Sequence, residues 1–296
     1  MHTRIVKILC AVTLLTSGWG CASQKNQNFK KSEIKKPLIA TTIVPLTIVV
    51  KNIVGDSADV QSVLPHGAEP HDVVLSPTEI SAIQHAQVVV KLGLGLDSWV
   101  DKGIEATEQH PIVINVGELL HIPAQSDPHI WLSPRRMLRI IDALNTEISR
   151  ALPEIKETTQ TNAAAYRKKI ENIDTIYNST ATFSSHEIVT LHNAFSYLAA
   201  DYNIKIIGVI KNIPEDSPSP TDIARIITTL KKFPDAPLFA ESEIQPAIIA
   251  TIARDTKRTT YILDPLETGS LDLDAYEHIM LKNFAELERA LNKPKM

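Results

Sequence analysis

Four side chains of this 296-residue sequence could share one chemistry although they lie far apart: His71, His129, His192 and Asp264. Neutral imidazole is a good ligand for Zn²⁺ and an acceptable one for Mn²⁺ and Fe²⁺, and a carboxylate adds a hard oxygen and one compensating charge. Three His and one Asp can complete a tetrahedral shell. Successive members are 58, 63 and 72 residues apart, so no local metal signature marks them. Taken singly, each His reads as an ordinary loop residue, and Asp264 before Pro265 as a turn or cap residue.

Their surroundings make the set more specific. His71 ends the loop Pro65-His66-Gly67-Ala68-Glu69-Pro70, and His129 sits in Asp127-Pro128-His129-Ile130-Trp131-Leu132. His192 follows the apolar run Ile188–Leu191, and Asp264 follows Tyr261-Ile262-Leu263. All four are expected just beyond the carboxyl ends of strands, where open α/β sheets bind ligands. Pro70, Pro128 and Pro265 restrict the backbone beside three of them. Glu241, at another strand end, can orient a ligand His or serve as a cap, whereas Glu69 reads as a solvated loop acid. His2, His66, His85, His110, His121, His186 and His278 read as ordinary surface or core histidines, with His66 singled out only because it shares the loop of His71.

The elements that must hold these residues follow from apolar pattern and capping. Strands are expected at Leu38–Val44, Val60–Leu64, Val88–Leu92 and Ile112–Val116, and again at Ile188–Leu191, Ile204–Ile210, Leu238–Ala240 and Thr260–Leu263. Helices alternate with them. Ser76-Pro77-Thr78-Glu79 and Ser219-Pro220-Thr221-Asp222 are capping sequences, Ser133-Pro134 opens another helix, and Asp97 is expected to cap the segment from Ser98 to about Gln109. Further helices are expected at Ala194–Tyr202 and Ala247–Asp255, with a closing one to about Leu291. Continuous apolar strands alternating with helices imply mainly parallel sheets covered on both faces. The recurring capping device fits either an internal duplication or the repeated invention of a good helix start.

Pro153–Phe183 contains no Gly and no interior Pro, and carries Ile155, Ala163, Ala164, Tyr166, Ile170, Ile173, Ile176 and Tyr177 amid many charges. It reads as one long rigid helix. The expected organisation is therefore an α/β lobe at 38–152, a linker helix at 153–185 and a second α/β lobe at 186–296. A site built two residues per lobe would sit in the cleft between them.

Residues 1–20 carry Arg4 and Lys7 before the apolar run Ile8–Leu15, which is the pattern of a signal peptide and too short for a membrane span. Gly20-Cys21 resembles a bacterial lipobox, although Gly18 and Trp19 depart from its usual Leu and small residue. Cys21 is then the candidate lipid attachment site. Residues 21–37 form a tether with five lysines against Glu33, and the remainder of the chain is strongly acidic despite a formal net charge of only −4. Such a protein is expected in the periplasm or on the outer face of the cell membrane. No basic patch interleaved with aromatics suggests a nucleic-acid partner. The two cysteines, Cys10 and Cys21, leave the mature part without a disulfide. An enzyme is disfavoured: His186-Glu187 is followed by Thr190 where a zinc protease needs its second His, no Gly-x-Ser-x-Gly occurs, and four protein ligands leave a zinc ion no open position for water.

Pro70-His71, Asp127-Pro128-His129-Ile130-Trp131-Leu132, His192-Asn193-Ala194-Phe195-Ser196-Tyr197 and Asp264-Pro265-Leu266 together resemble the metal-specific solute-binding proteins of zinc and manganese ABC importers, several of them lipoproteins. The resemblance spans essentially the whole mature chain. It implies a first shell of His71, His129, His192 and Asp264, a monomer with two lobes joined by one long helix, and delivery of the bound ion to a membrane permease served by a cytoplasmic ATPase. His192 tilts the cargo toward Zn²⁺ over Mn²⁺, while the short segment Gly117–Ser126, with only His121, lacks the His-rich loop of many zinc-specific members. A metal-binding surface adhesin, or a binder of Fe²⁺, remains the alternative. Because imidazole must be neutral to bind, affinity is expected to fall below about pH 6.5.

Overall fold

The computed structural model describes residues 36–292 apart from His66, Asp72 and the stretches 211–218 and 242–245. The expected signal segment, Cys21 and nearly all of the Lys-rich tether lie outside the described residues, as does His66.

The first sheet comprises β1 (Leu38–Thr41), β2 (Asp59–Ser62), β3 (Val88–Lys91) and β4 (Ile112–Asn115), in the order β2-β1-β3-β4 with every pair parallel. Its crossovers are α1 (Val44–Val54), α2 (Pro77–His85) and α3 (Trp99–Glu105), followed by the single turn α4 (Val116–Leu119) and by α5 (Pro134–Ala151). Ser76 and Glu79 form the expected capping box of α2, and Ser133 caps α5 by accepting from Arg136 N–H.

Two expectations fail here. The run expected as strand to Val44 ends at Thr41, and Val44–Val54 is helical, because Pro45 fits the first turn and nine of the eleven residues are buried. Packing on all sides outweighs the poor helix propensity of its β-branched residues. Asp97, expected as a cap, is instead fully buried and accepts bonds from Thr42 Oγ1, Leu92 N–H and Gly93 N–H, tying the ends of β1 and β3 together. Burial pushes its carboxyl pKa up.

Next comes α6 (Lys156–Asn178), with short 3₁₀ turns at Pro153–Ile155 and Ser179–Thr182 on either side. Its 23 residues span about 35 Å. Thr159, Ala163, Tyr166, Ile170, Ile173 and Tyr177 form the buried face, packed on α1 and α5 and on α10 near the end of the chain.

The second sheet comprises β5 (Glu187–Thr190), β6 (Lys205–Val209), β7 (Leu238–Ala240) and β8 (Thr260–Ile262), in the order β6-β5-β7-β8 and again parallel. It is served by α7 (Ser196–Asp201), α8 (Pro220–Lys232), α9 (Pro246–Thr256) and α10 (Ala275–Leu291). In each sheet the first strand lies between the second and third. One apolar core runs from β1, α1 and α5 through α6 to α10, so the two sheets share an interior. Among the described residues no helix is long and apolar enough to cross a membrane.

Candidate metal centre

The loops leaving β2, β4, β5 and β8 converge. His71 follows β2, His129 follows β4 and the turn α4, and His192 stands two residues beyond β5. The fourth group at the convergence is Glu267, five residues past β8; Nε2 of the three imidazoles and a Glu267 carboxylate oxygen are the kind of donors that meet there, all within 4.8 Å of one another. Glu267 Oε1 lies 2.8 Å from His129 Nε2, 3.4 Å from His71 Nε2 and 3.7 Å from His192 Nε2, while the Nε2 atoms of His129 and His192 are 3.5 Å apart. The edge of a tetrahedron with metal–ligand bonds of about 2.05 Å is about 3.3 Å. The four separations given lie within about 0.5 Å of that edge.

Asp264 is not in this group. Its Oδ1 accepts from Leu266 N–H at 2.8 Å, and Asn283 of α10 holds its backbone by two bonds of 2.8 Å each. An Asp before Pro readily closes such a turn on its own backbone. The turn sends the chain on to Glu267, which sequence reasoning missed. The strand-end rule that selected Asp264 applies equally to the whole loop after β8, and within it only Glu267 is a buried acid.

Carboxylates stand behind two of the imidazoles. His129 Nδ1 is 2.7 Å from Asp127 Oδ1, and His192 Nδ1 is 2.6 Å from Glu241 Oε1. Each fixes a ring orientation with Nε2 facing the cluster. Glu241 is buried against His192, the arrangement that the orienting role considered for it requires. Glu69 is half-buried on the loop of His71, and Trp99 Nε1 donates to Pro70 O at 3.1 Å, bracing that loop. The site lies deep: His192, Glu267 and His129 are 0%, 2% and 4% exposed, and His71, at 18% for its side chain, is its open edge.

Both ring nitrogens of His129 face carboxylates. Burial pushes its pKa down, but bonds and charge from Asp127 and Glu267 outweigh that and raise it to about 9. Burial likewise favours the neutral form of Glu267, yet hydrogen bonds from His129 and His71 and the charge of His129 hold its carboxyl well below the usual carboxylate range. Glu267 Oε2, Glu241 Oε2 and Asp127 Oδ2 are buried with no hydrogen-bond partner among the described residues. Buried polar oxygens left without a partner are costly unless something compensates them.

Residues 39–290 match the family described as zinc-uptake complex component A, periplasmic. The chain belongs to that family. It is 28% identical over 309 residues to the zinc-binding lipoprotein AdcA of Streptococcus pneumoniae, covering 96% of this chain but 60% of the relative, so it spans three-fifths of that protein's length. It is also 28% identical to the high-affinity zinc uptake system protein ZnuA of Bacillus subtilis, covering 96% of both. Among solved structures, the solute-binding protein FpvC of Pseudomonas aeruginosa with Ni²⁺ superposes with a TM-score of 0.79 at 25% identity, over 88% of this chain and all of that one. Zn(II)-bound AdcA superposes with a TM-score of 0.75 at 28% identity, over 88% of this chain and 59% of that one. These relatives are named for metal binding and uptake, not for catalysis.

Proposed function

We propose that this protein captures Zn²⁺, with Mn²⁺ as second choice, outside the cytoplasm and delivers it to the permease of an ABC importer, its ligands being His71, His129, His192 and Glu267. The observation that carries the reading is the convergence of three imidazole nitrogens and one carboxylate oxygen at tetrahedral spacing in a buried site. Three nitrogen donors favour Zn²⁺, whereas Mn²⁺ is better served by oxygen. Membership of the zinc-uptake family, and relatives that bind zinc or take it up, support the same cargo.

In this reading the α/β halves at 38–152 and 186–296 act as lobes on either side of the linker helix at 153–185. The ion enters past His71, displaces the proton shared by His129 and Glu267, and is enclosed. Export through residues 1–20 and anchoring at Cys21 would hold the protein beside its permease. The test is metal content and affinity: the purified chain should bind one Zn²⁺ per molecule, and a deletion strain should regain growth on added Zn²⁺. Binding unchanged by His192→Ala would sink the proposal.

A further inference from the structure

The segment from Asp264 to Asp274 joins β8 to α10 without a strand or helix of its own, so its shape rests on side-chain and long-range bonds. Besides the Asn283 contacts at Asp264 and two bonds within the segment, from Leu266 N–H to Asp264 Oδ1 and from Asp272 N–H to Ser270 Oγ, three of its backbone carbonyls accept from donors in the first half of the chain. Trp131 Nε1 donates to Pro265 O at 2.9 Å, Lys51 Nζ to Leu271 O at 3.0 Å, and Asn52 Nδ2 to Leu273 O at 2.8 Å. Lys51 and Asn52 are the two residues of α1 left partly exposed on the turn that faces this segment, while nine others of the helix are buried. Leu266, immediately before Glu267, has a φ of +55°, a left-handed conformation that a branched side chain adopts only under constraint from its surroundings.

We infer that Lys51 and Asn52 on α1 are positioning residues for Glu267, holding the carboxylate of the metal cluster in the frame of the first half of the chain. The inference rests on the proposed metal-binding role of the cluster and deepens it. Glu267 follows β8 in sequence, yet its loop is fastened on both sides, at 265 and at 271–273, to elements that carry or flank His129 and β1. The cluster then divides mechanically as three groups against one: His71, His129 and Glu267 on one side, His192 with Glu241 on the other. A relative movement of the halves would strip a single imidazole from the ion rather than two ligands. Release would thus leave three ligands in place, ready for the next ion.

The test is a double-mutant cycle between the positioning pair and Glu267, read by Zn²⁺ competition titration and by the visible absorption of the Co²⁺-loaded full chain. Lys51→Met and Asn52→Leu remove the donors and keep most of the packed stem. The double variant should weaken Zn²⁺ binding about 10-fold, the size of a support-residue effect. It should shift the Co²⁺ spectrum toward that of Glu267→Gln, and have no further effect once Glu267→Gln is present. A general loss of stability would not move that spectrum. If Glu267→Gln weakens binding while the double variant changes neither affinity nor spectrum, or acts equally in both backgrounds, the positioning role is overturned and the metal site stands. If Glu267→Gln itself changes nothing, the ligand assignment falls and the positioning role with it. Should the double variant not fold, each single substitution is read through the same cycle.

Discussion

Nε2 of His129 and Oε1 of Glu267 lie 2.8 Å apart across 138 residues of sequence, and both side chains are buried. Two groups brought together from such a distance are held there by the whole fold, and the contact joins a loop of the first sheet to a loop of the second. In the absence of an ion the pair is an imidazolium and a carboxylate, and under the proposed function a cation would take the place of the shared proton. The first prediction separates the two acids of the β8–α10 loop. Glu267→Gln should weaken Zn²⁺ binding by more than about 100-fold, beyond the usual effect of residues that only support a ligand. Asp264→Asn keeps an acceptor for Leu266 N–H and should bind within a few-fold of the parent. Isothermal titration of both variants decides, and the reverse ranking would return the fourth ligand to Asp264.

The confusion between these two acids shows where sequence stops being informative. His71, His129 and His192 were legible because each follows an apolar run recognisable as a strand, next to a proline or a helix start. Glu267 was not, because its loop is held by bonds from Trp131, Lys51 and Asn52 that span 134 to 221 residues and leave no local mark in the sequence. The same limit applies to α1: a run of Val and Ile reads as a strand until the core that surrounds it is known. Capping was local and so was read correctly at Ser76, Ser133 and Ser219. Both sheets and their parallel pairing followed from alternation, and the long helix from a stretch without Gly or interior Pro, although its expected ends at Pro153 and Phe183 are 3₁₀ turns around Lys156–Asn178.

A second prediction concerns the carboxylate behind His192. Glu241 Oε1 is 2.6 Å from His192 Nδ1 and both residues are buried, so the ring can neither turn nor exchange its tautomer freely. Glu241→Gln should cost about 10- to 100-fold in Zn²⁺ affinity while His192 remains a ligand. Competition against a chelating dye measures it, and an affinity within 2-fold of the parent would count against this support.

A third prediction tests stability away from the ion. Asp201, at the end of α7, accepts from Ser133 Oγ at 2.7 Å and from Arg136 through Nε at 2.7 Å and Nη2 at 3.2 Å, while Arg136 also stacks on Tyr197 at 4.1 Å. The clasp links the cap that follows His129 to the helix that follows His192. The side chains of Arg136 and Asp201 are 25% and 16% exposed, so removing one leaves its partner largely shielded from water. Asp201→Ala should lower unfolding free energy by about 2 kcal/mol. Urea denaturation of the metal-free protein checks this, with an unchanged midpoint counting against the clasp.

The last prediction is the response to pH, which the structure shifts from the value expected for ordinary imidazoles. His129, with a pKa of about 9, is protonated at neutral pH in the ion-free protein, and Zn²⁺ must expel that proton. Affinity should therefore keep rising up to about pH 9, by about tenfold per pH unit for one proton released, instead of levelling above 6.5. Stability of the ion-free form runs the other way. The raised pKa of His129 stabilises the fold fully below its ordinary value of 6.5, and this contribution is lost as pH climbs through about 9. The depressed pKa of Glu267 stabilises it above the ordinary 4.5, a contribution lost on acidification. Both act together between about 4.5 and 6.5. The rise in melting temperature caused by Zn²⁺ should accordingly be larger at pH 8.5 than at pH 6, because metal binding strengthens while the competing imidazolium–carboxylate pair dissolves. Calorimetry in buffers of different ionisation enthalpy should also register about one proton released per Zn²⁺ at pH 7.5. Binding with no proton release at that pH would show that His129 is already neutral and that the pair is not charged.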